Sequence, residues 1–189
     1  ADRTYALFRE AYSLVQLNQF ETASKKYREL LEQYPDSKLA GPSRLANAQS
    51  LYRAGKMDLA ELEFAKICEG KDRIAATEST HWIARIRMSQ GRFQDTLRFI
   101  EEQLRKGLDG EFAVPVQMDR AESLAAGKKT EDKLAAREQF SLIYQEYPAH
   151  SLAPKSLFNA SVLSFQLDDY EQVLNYSDQF LAAFKSNAL

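Results

Sequence analysis

The residues of this 189-residue chain that could do chemistry are few and scattered. His81 and His150 stand far apart, and neither has a partner at metal-ligand spacing. His150 follows Pro148 at a turn and reads as solvated, while His81, beside Trp82, reads as a partly buried helix residue that could line a groove. Cys68 is alone, which excludes an internal disulfide and a Cys-rich metal site, and on a helix it reads as a small buried hydrophobe. Asp168-Asp169 would suit a cation, but the pair opens a helix, where capping and the helix dipole explain it. Glu101-Glu102 and Glu131-Asp132 read as solvated helix faces, and Lys25-Lys26 and Lys128-Lys129 are too short for a nucleic-acid stripe. There is no phosphate-cradling Gly-rich loop and no Gly-x-Ser-x-Gly. No catalytic residue, metal ligand or cofactor is therefore expected, and the chain is not read as an enzyme.

What must position any other site is helix. Ala, Leu, Glu, Lys, Arg and Gln dominate, with only 7 Gly and 5 Pro. Hydrophobic residues make up 44% and charged residues 28%, as in a folded domain. A net charge of -2 supplies no field for nucleic acid. No apolar run reaches bilayer length, so direct membrane insertion is not expected. The start as given shows no signal or lipidation motif, so the expectation is a cytosolic chain or one whose leader has been removed.

Apolar residues recur at three- and four-residue spacing through ten segments, which predicts ten helices. Pro35 stops the second. Gly41-Pro42 opens the third, and Gly55 and Gly91 end the third and fifth in a left-handed conformation. The fifth is expected to begin near Ala75 or Thr77, the eighth to be capped by Thr130, and the ninth to start near Ser151. The helices pair. Phe20, Met57, Phe93 and Tyr170 each follow a helix-to-helix turn, at successive spacings of 37, 36 and 77, the last being two periods. Tyr34, Pro35, Leu39, Ala40 and Ser43 return as Tyr147, Pro148, Leu152, Ala153 and Ser156 at a constant shift of 113. The fourth pair carries extra residues around Lys128 to Lys133. A period near 37 with paired helices marks an α-solenoid.

These residues resemble the tetratricopeptide repeat. That motif places an aromatic after the turn, a small residue three later, an aromatic four beyond, and Pro after the second helix. Phe20, Ala23, Tyr27 and Pro35 fit it. Met57, Ala60 and Phe64 fit, with Asp72 where Pro is expected; Phe93, Thr96 and Ile100 fit loosely. Ala136, Phe140 and Pro148 fit the second helix of the fourth repeat; Tyr170 and Val173 fit the fifth, where Ser177 replaces the aromatic. Ala11, Ala48, Ala84, Ala121 and Ser161 supply the small residue of the first helix. The resemblance implies an all-α fold, a right-handed α-solenoid of about five helix pairs. The repeats are expected at 4–37, 41–74, 77–110, 112–149 and 154–187 of one array over 1–189, which is complete or the N-terminal part of a longer one. The Tyr-Pro turns and long period are similar in style to bacterial envelope repeat proteins, which implies a periplasmic or envelope location, with the cytoplasm as alternative.

In that family the first helix of each pair lines a concave groove that binds a protein or peptide. Projected onto this chain, the groove is Phe8, Arg9 and Tyr12; Gln49, Tyr52 and Arg53; His81, Trp82, Arg85 and Met88; and Phe158, Asn159, Phe165 and Gln166. Aromatics and Arg are the types enriched at interaction hot spots. The alternative for each is a place in the inter-repeat core. Only Lys155 and Asn159 resemble the Lys/Asn grip that chaperone-binding repeats place on a peptide carboxylate. The expected function is a non-enzymatic scaffold in envelope assembly. The alternatives are a module that self-associates, for instance through its apolar last helix, and an accessory domain of a larger protein.

Overall fold

The computed structural model describes residues 3–184, which form ten α-helices and no strand. The helices are α1 (Arg3–Gln16), α2 (Phe20–Gln33), α3 (Ala40–Arg53), α4 (Met57–Cys68), α5 (Arg73–Ser89), α6 (Phe93–Lys106), α7 (Ala113–Ala125), α8 (Thr130–Glu146), α9 (Ala153–Gln166) and α10 (Tyr170–Ala183). No helix among them is long and apolar enough to cross a membrane. The chain divides at Ile86/Arg87 into two compact units. In the first, α1 packs on α2, α2 on α3 and α3 on α4. In the second, α6 packs on α7 and the series continues through α8 and α9 to α10. The last three residues expected for the fifth repeat, 185–187, lie outside the described residues.

Four of the five helix pairs close by one device. Asn18, Gly55, Gly91 and Asp168 sit at φ of 58°, 75°, 73° and 57°. The next residue's N–H then reaches back to a carbonyl five residues earlier: Gln19 to Leu14 at 2.8 Å, Lys56 to Leu51 at 2.9 Å, Arg92 to Arg87 at 2.8 Å and Asp169 to Ser164 at 3.0 Å. This satisfies helix-terminal carbonyls and reverses the chain in three residues. Gly takes the left-handed position freely, and Asn and Asp are the side chains that tolerate it best. The α7–α8 turn differs. It spans four residues, 126–129, and a Cβ on Gly127 would run into the Asp132 side chain. The extra residues also lengthen α8 to 17, against 14 for α2, α6 and α10.

The connections between pairs repeat as well. Ser37 N–H donates to Tyr34 C=O, and Ser37 Oγ accepts the N–H of Leu39 at 3.2 Å. At the second Tyr-Pro turn His150 N–H donates to Tyr147 C=O, and His150 Nδ1 accepts the N–H of Leu152 at 3.1 Å. His150 is thus half-buried and does the work of a serine, where the spacing alone suggested a solvated side chain.

Three helix starts differ from expectation. The fifth helix opens at Arg73, because the Asp72 carboxylate accepts the Ala75 N–H at 3.1 Å and so caps it. The Asp that stands in place of the expected Pro is the start signal. Thr130 lies inside α8 as its first residue; Lys129 holds the cap position and no side chain caps it. The ninth helix begins at Ala153, since residues up to Leu152 complete the turn.

Packing follows the small-residue and aromatic ladder. Ala11, Ala23, Ala48, Ala60, Ala84, Thr96, Ala121 and Ala136 are fully buried, which lets paired helices approach closely. Tyr27, Phe64, Ile100 and Phe140 seal against them, each worth about 1.5–3 kcal/mol of apolar burial. In the last pair Ser161 stays half-exposed beside the sealed Ala160, and the aromatic missing at Ser177 is supplied by its neighbour Tyr176. Cys68 is buried as expected, its Sγ 3.5 Å from Ala76 C=O.

Candidate functional site

None of the groove residues projected from the sequence is sealed in the core; each is half-buried or exposed. In the first unit they form two neighbouring groups.

One group is a pocket of about 280 Å³ lined by Phe8, Tyr12, Val15 and Gln16 of α1, Tyr27 of α2, and Ala46, Gln49, Ser50 and Arg53 of α3. It joins four projected residues from two repeats. Phe8 stands edge-on to Tyr27, with ring centroids 5.7 Å apart. Tyr27 is 1% exposed. Burial pushes its phenol above the ordinary range, and nearby Tyr12 adds to the rise, so its hydroxyl stays protonated. Arg53 is exposed, with its guanidinium 5.8 Å from the centre of the Phe20 ring. Among the described residues no carboxylate pairs with Arg53.

The other group is a ridge on α3 and α5. The Tyr52 and Trp82 rings lie 4.9 Å apart, Trp82 stacks near Phe64 at 6.3 Å, and His81 stands edge-on to Trp82 at 5.4 Å. One oxygen of Glu78 accepts from both Gln49 Nε2, at 2.6 Å, and Trp82 Nε1, at 3.2 Å. Glu78 therefore fixes the indole from its own helix and ties it to the preceding pair. Sequence reasoning missed Glu78. Its signal is an acid four residues before the only Trp, where both share a helix face.

Two projected residues of this unit stand outside these groups. Arg9 bends to its own helix, where Nη1 donates to the Tyr5 hydroxyl at 3.2 Å. Arg85 is exposed on α5.

In the second unit Met88 is half-buried on α5, and α9 carries the rest. Phe158, Val162 and Phe165 form a stripe at 47%, 38% and 60% exposure, with Asn159 and Gln166 beside it. Phe165 packs edge-on to Tyr170 at 6.0 Å. Lys155, half of the resemblance to a carboxylate grip, is already paired with Glu122 at 2.7 Å. Among the described residues no group of His, Cys, Asp and Glu could hold a metal ion.

Asp168 and Asp169 are each engaged. Asp169 caps α10, accepting from the Gln172 N–H at 3.3 Å, and pairs with Arg137 at 2.6 Å. The Arg137 hydrogen bond, then the backbone bond, hold its carboxyl below the ordinary range. Asp168 accepts from the Tyr170 hydroxyl at 3.0 Å.

No family model matches the chain, and no curated protein matches it by sequence. Solved structures do match by shape. A tetratricopeptide repeat protein from Parabacteroides merdae superposes with a TM-score of 0.76 at 11% identity, over 99% of this chain and 69% of that one. PilF of Pseudomonas aeruginosa gives 0.69 at 17%, over 95% and 76%. YrrB, a tetratricopeptide repeat protein with an unusual peptide-binding site, gives 0.66 at 15%, over 96% and 86%. The chain therefore has the tetratricopeptide-repeat fold, all-α and built of helix pairs.

Proposed function

We propose that this chain is a non-enzymatic scaffold that holds an extended peptide or partner helix against the first-helix face of its first unit. The observation that carries this reading is the half-exposed ridge of Tyr52, His81 and Trp82, held in place by Glu78. Rigid aromatics presented at partial exposure lose little entropy on binding, and they are what hot spots are made of. Trp82 stacks near the sealed Phe64 on one side and stays partly accessible on the other. The test is a pull-down with wild type and Trp82→Ala, each checked for helicity. Trp82→Ala is expected to keep its fold and lose the partner; equal recovery by both proteins refutes the reading. The partner class we propose is protein or peptide; a net charge of -2 supplies no global field that would favour nucleic acid.

A second reading, self-association, is favoured by the last pair. Tyr170, Leu174 and Leu181 are 57%, 67% and 67% exposed on α10, next to the α9 stripe. A contiguous apolar patch of this kind marks an interface. Concentration-dependent mass in light scattering, abolished by Leu174→Glu, would support it, and a constant monomer mass would sink it. The setting we propose is the bacterial cell envelope, with the cytoplasm as alternative; the support is the style of the Tyr34-Pro35 and Tyr147-Pro148 turns, and cell fractionation tests it.

A further inference from the structure

We propose that Asp109-Gly110, in the loop between α6 and α7, is a site of spontaneous backbone modification, where the main chain rearranges from aspartate to isoaspartate. The modification needs only water and is independent of the scaffold reading.

Three observations carry it. Asp109-Gly110 is the only place in the sequence where Gly follows Asp or Asn, and Gly has no Cβ to crowd its own nitrogen. Both residues are exposed, so water reaches the bond. The Gly110 N–H donates to Asp109 Oδ1 at 2.7 Å, with Gly110 at a φ of 78° that Gly takes freely. The nitrogen is thus held beside the carboxyl group it would attack, which is the proximity an intramolecular reaction needs. Two other exposed aspartates differ. The N–H after Asp36 is given by Ser37 to Tyr34 C=O, and the N–H after Asp168 is given by Asp169 to Ser164 C=O at 3.0 Å.

The chemistry balances with water alone. The Gly110 nitrogen bonds to Asp109 Cγ, the Cγ–hydroxyl bond of the protonated carboxyl breaks, and the nitrogen's proton leaves with the hydroxyl as water. The product is a cyclic imide. Water then adds to one of its two carbonyls. Addition at Cγ breaks the new bond and restores aspartate. Addition at the main-chain carbonyl breaks the original peptide bond, so the backbone now runs through Cβ and Cγ and the α-carboxyl becomes the side group. Mass and formal charge are unchanged, and the main chain is one carbon longer. That carbon enters just before the bond from Ala113 N–H to Gly110 C=O, 3.2 Å, at the start of α7. Helix α7 packs on both α6 and α8, so the lesion sits at a joint of the second unit.

The test ages the full chain in neutral buffer at physiological temperature. Isoaspartate is then counted by an isoaspartyl methyltransferase that transfers labelled methyl from S-adenosylmethionine, and the label is located in tryptic peptides. We expect label to grow with time in the peptide Gly107–Arg120 and to outpace that in the peptides holding Asp36 and Asp168. Asp109→Glu keeps the exposed charge but would need a larger, slower-closing ring, so it should lose the label from this peptide. The peptide also holds the buried Asp119, and the variant separates the two aspartates. The same chain aged in guanidinium chloride should react no faster than the folded one, because the loop already presents the nitrogen to the carboxyl. Absence of label in Gly107–Arg120, or label that survives Asp109→Glu, overturns the proposal. Faster reaction in denaturant overturns the claim that the folded loop prepares the pair.

Discussion

Replacing Glu78 with Ala removes the single oxygen on which Gln49 and Trp82 both converge. A hydrogen bond is worth about 0.5–1.5 kcal/mol net, and up to roughly 3 when one partner is charged. Glu78 is half-buried, so the two freed donors regain water in part, and the loss should be about 1–2 kcal/mol in total. For a chain of this size each kcal/mol moves the midpoint by about 2–4 °C, so Tm should fall by about 2–8 °C. The chain has one Trp, so emission excited selectively at the indole, away from the Tyr absorption, reports this ridge. Emission should shift and acrylamide quenching should rise in Glu78→Ala as the indole loses its anchor. Glu78→Gln keeps an acceptor oxygen and should lose about half as much. A double-mutant cycle with Gln49→Ala should return a coupling of about 0.5 kcal/mol or more. A Glu78→Ala protein with unchanged Tm and unchanged emission would refute the claim that this carboxylate organises the site.

Two further outcomes follow from the turns. His150→Ala should cost about 1 kcal/mol by orphaning the Leu152 N–H, while His150→Ser, which copies the Ser37 turn, should restore it; equal denaturation midpoints for Ala and Ser variants would show that the imidazole does not hold the turn. Asp169 is held below its ordinary range by Arg137 and the Gln172 N–H. Its stabilisation is therefore complete above the unfolded carboxylate value, about 3.9, and fades as pH falls through the lower folded value. Asp169→Asn keeps the cap and loses the ion pair, so its Tm deficit at about pH 6 should shrink once pH falls below the unfolded carboxylate value, about 3.9, and vanish below the folded one; a deficit independent of pH would mean that the pair with Arg137 contributes nothing.

The parts of the fold that could be read from sequence are those that one residue imposes on its own backbone. Pro35 cannot continue α2, and Gly55 and Gly91 take the left-handed turn without cost. Periodicity likewise put Tyr27, Phe64 and Phe140 in the core. What escaped depends on where a side chain reaches after folding. Asn18 and Asp168 adopt the same turn as the glycines, but their composition alone allows many others. Asp72 and His150 matter through one backbone N–H each, which a spacing rule tuned to Pro or Ser does not find. The same holds for the site. Aromatics on first-helix positions were legible, whereas Glu78 acts through Gln49, 29 residues away, and no local pattern links them. Arg9 reaches one helical turn back to Tyr5, a local contact that projection by repeat position does not include.

The repeated three-residue reversal at Asn18, Gly55, Gly91 and Asp168 also bears on how the chain finds its structure. Each reversal is closed by a bond spanning five residues, so a helix pair can form before any distant segment arrives. The loop-closure entropy of each pair is small, and local pairing of this kind favours fast folding. Nucleation has several equivalent starting points, and whichever pair forms first offers its neighbour a template. The chain thus needs no single obligatory nucleus, and a lesion in one turn should slow its own pair and leave the others competent to begin.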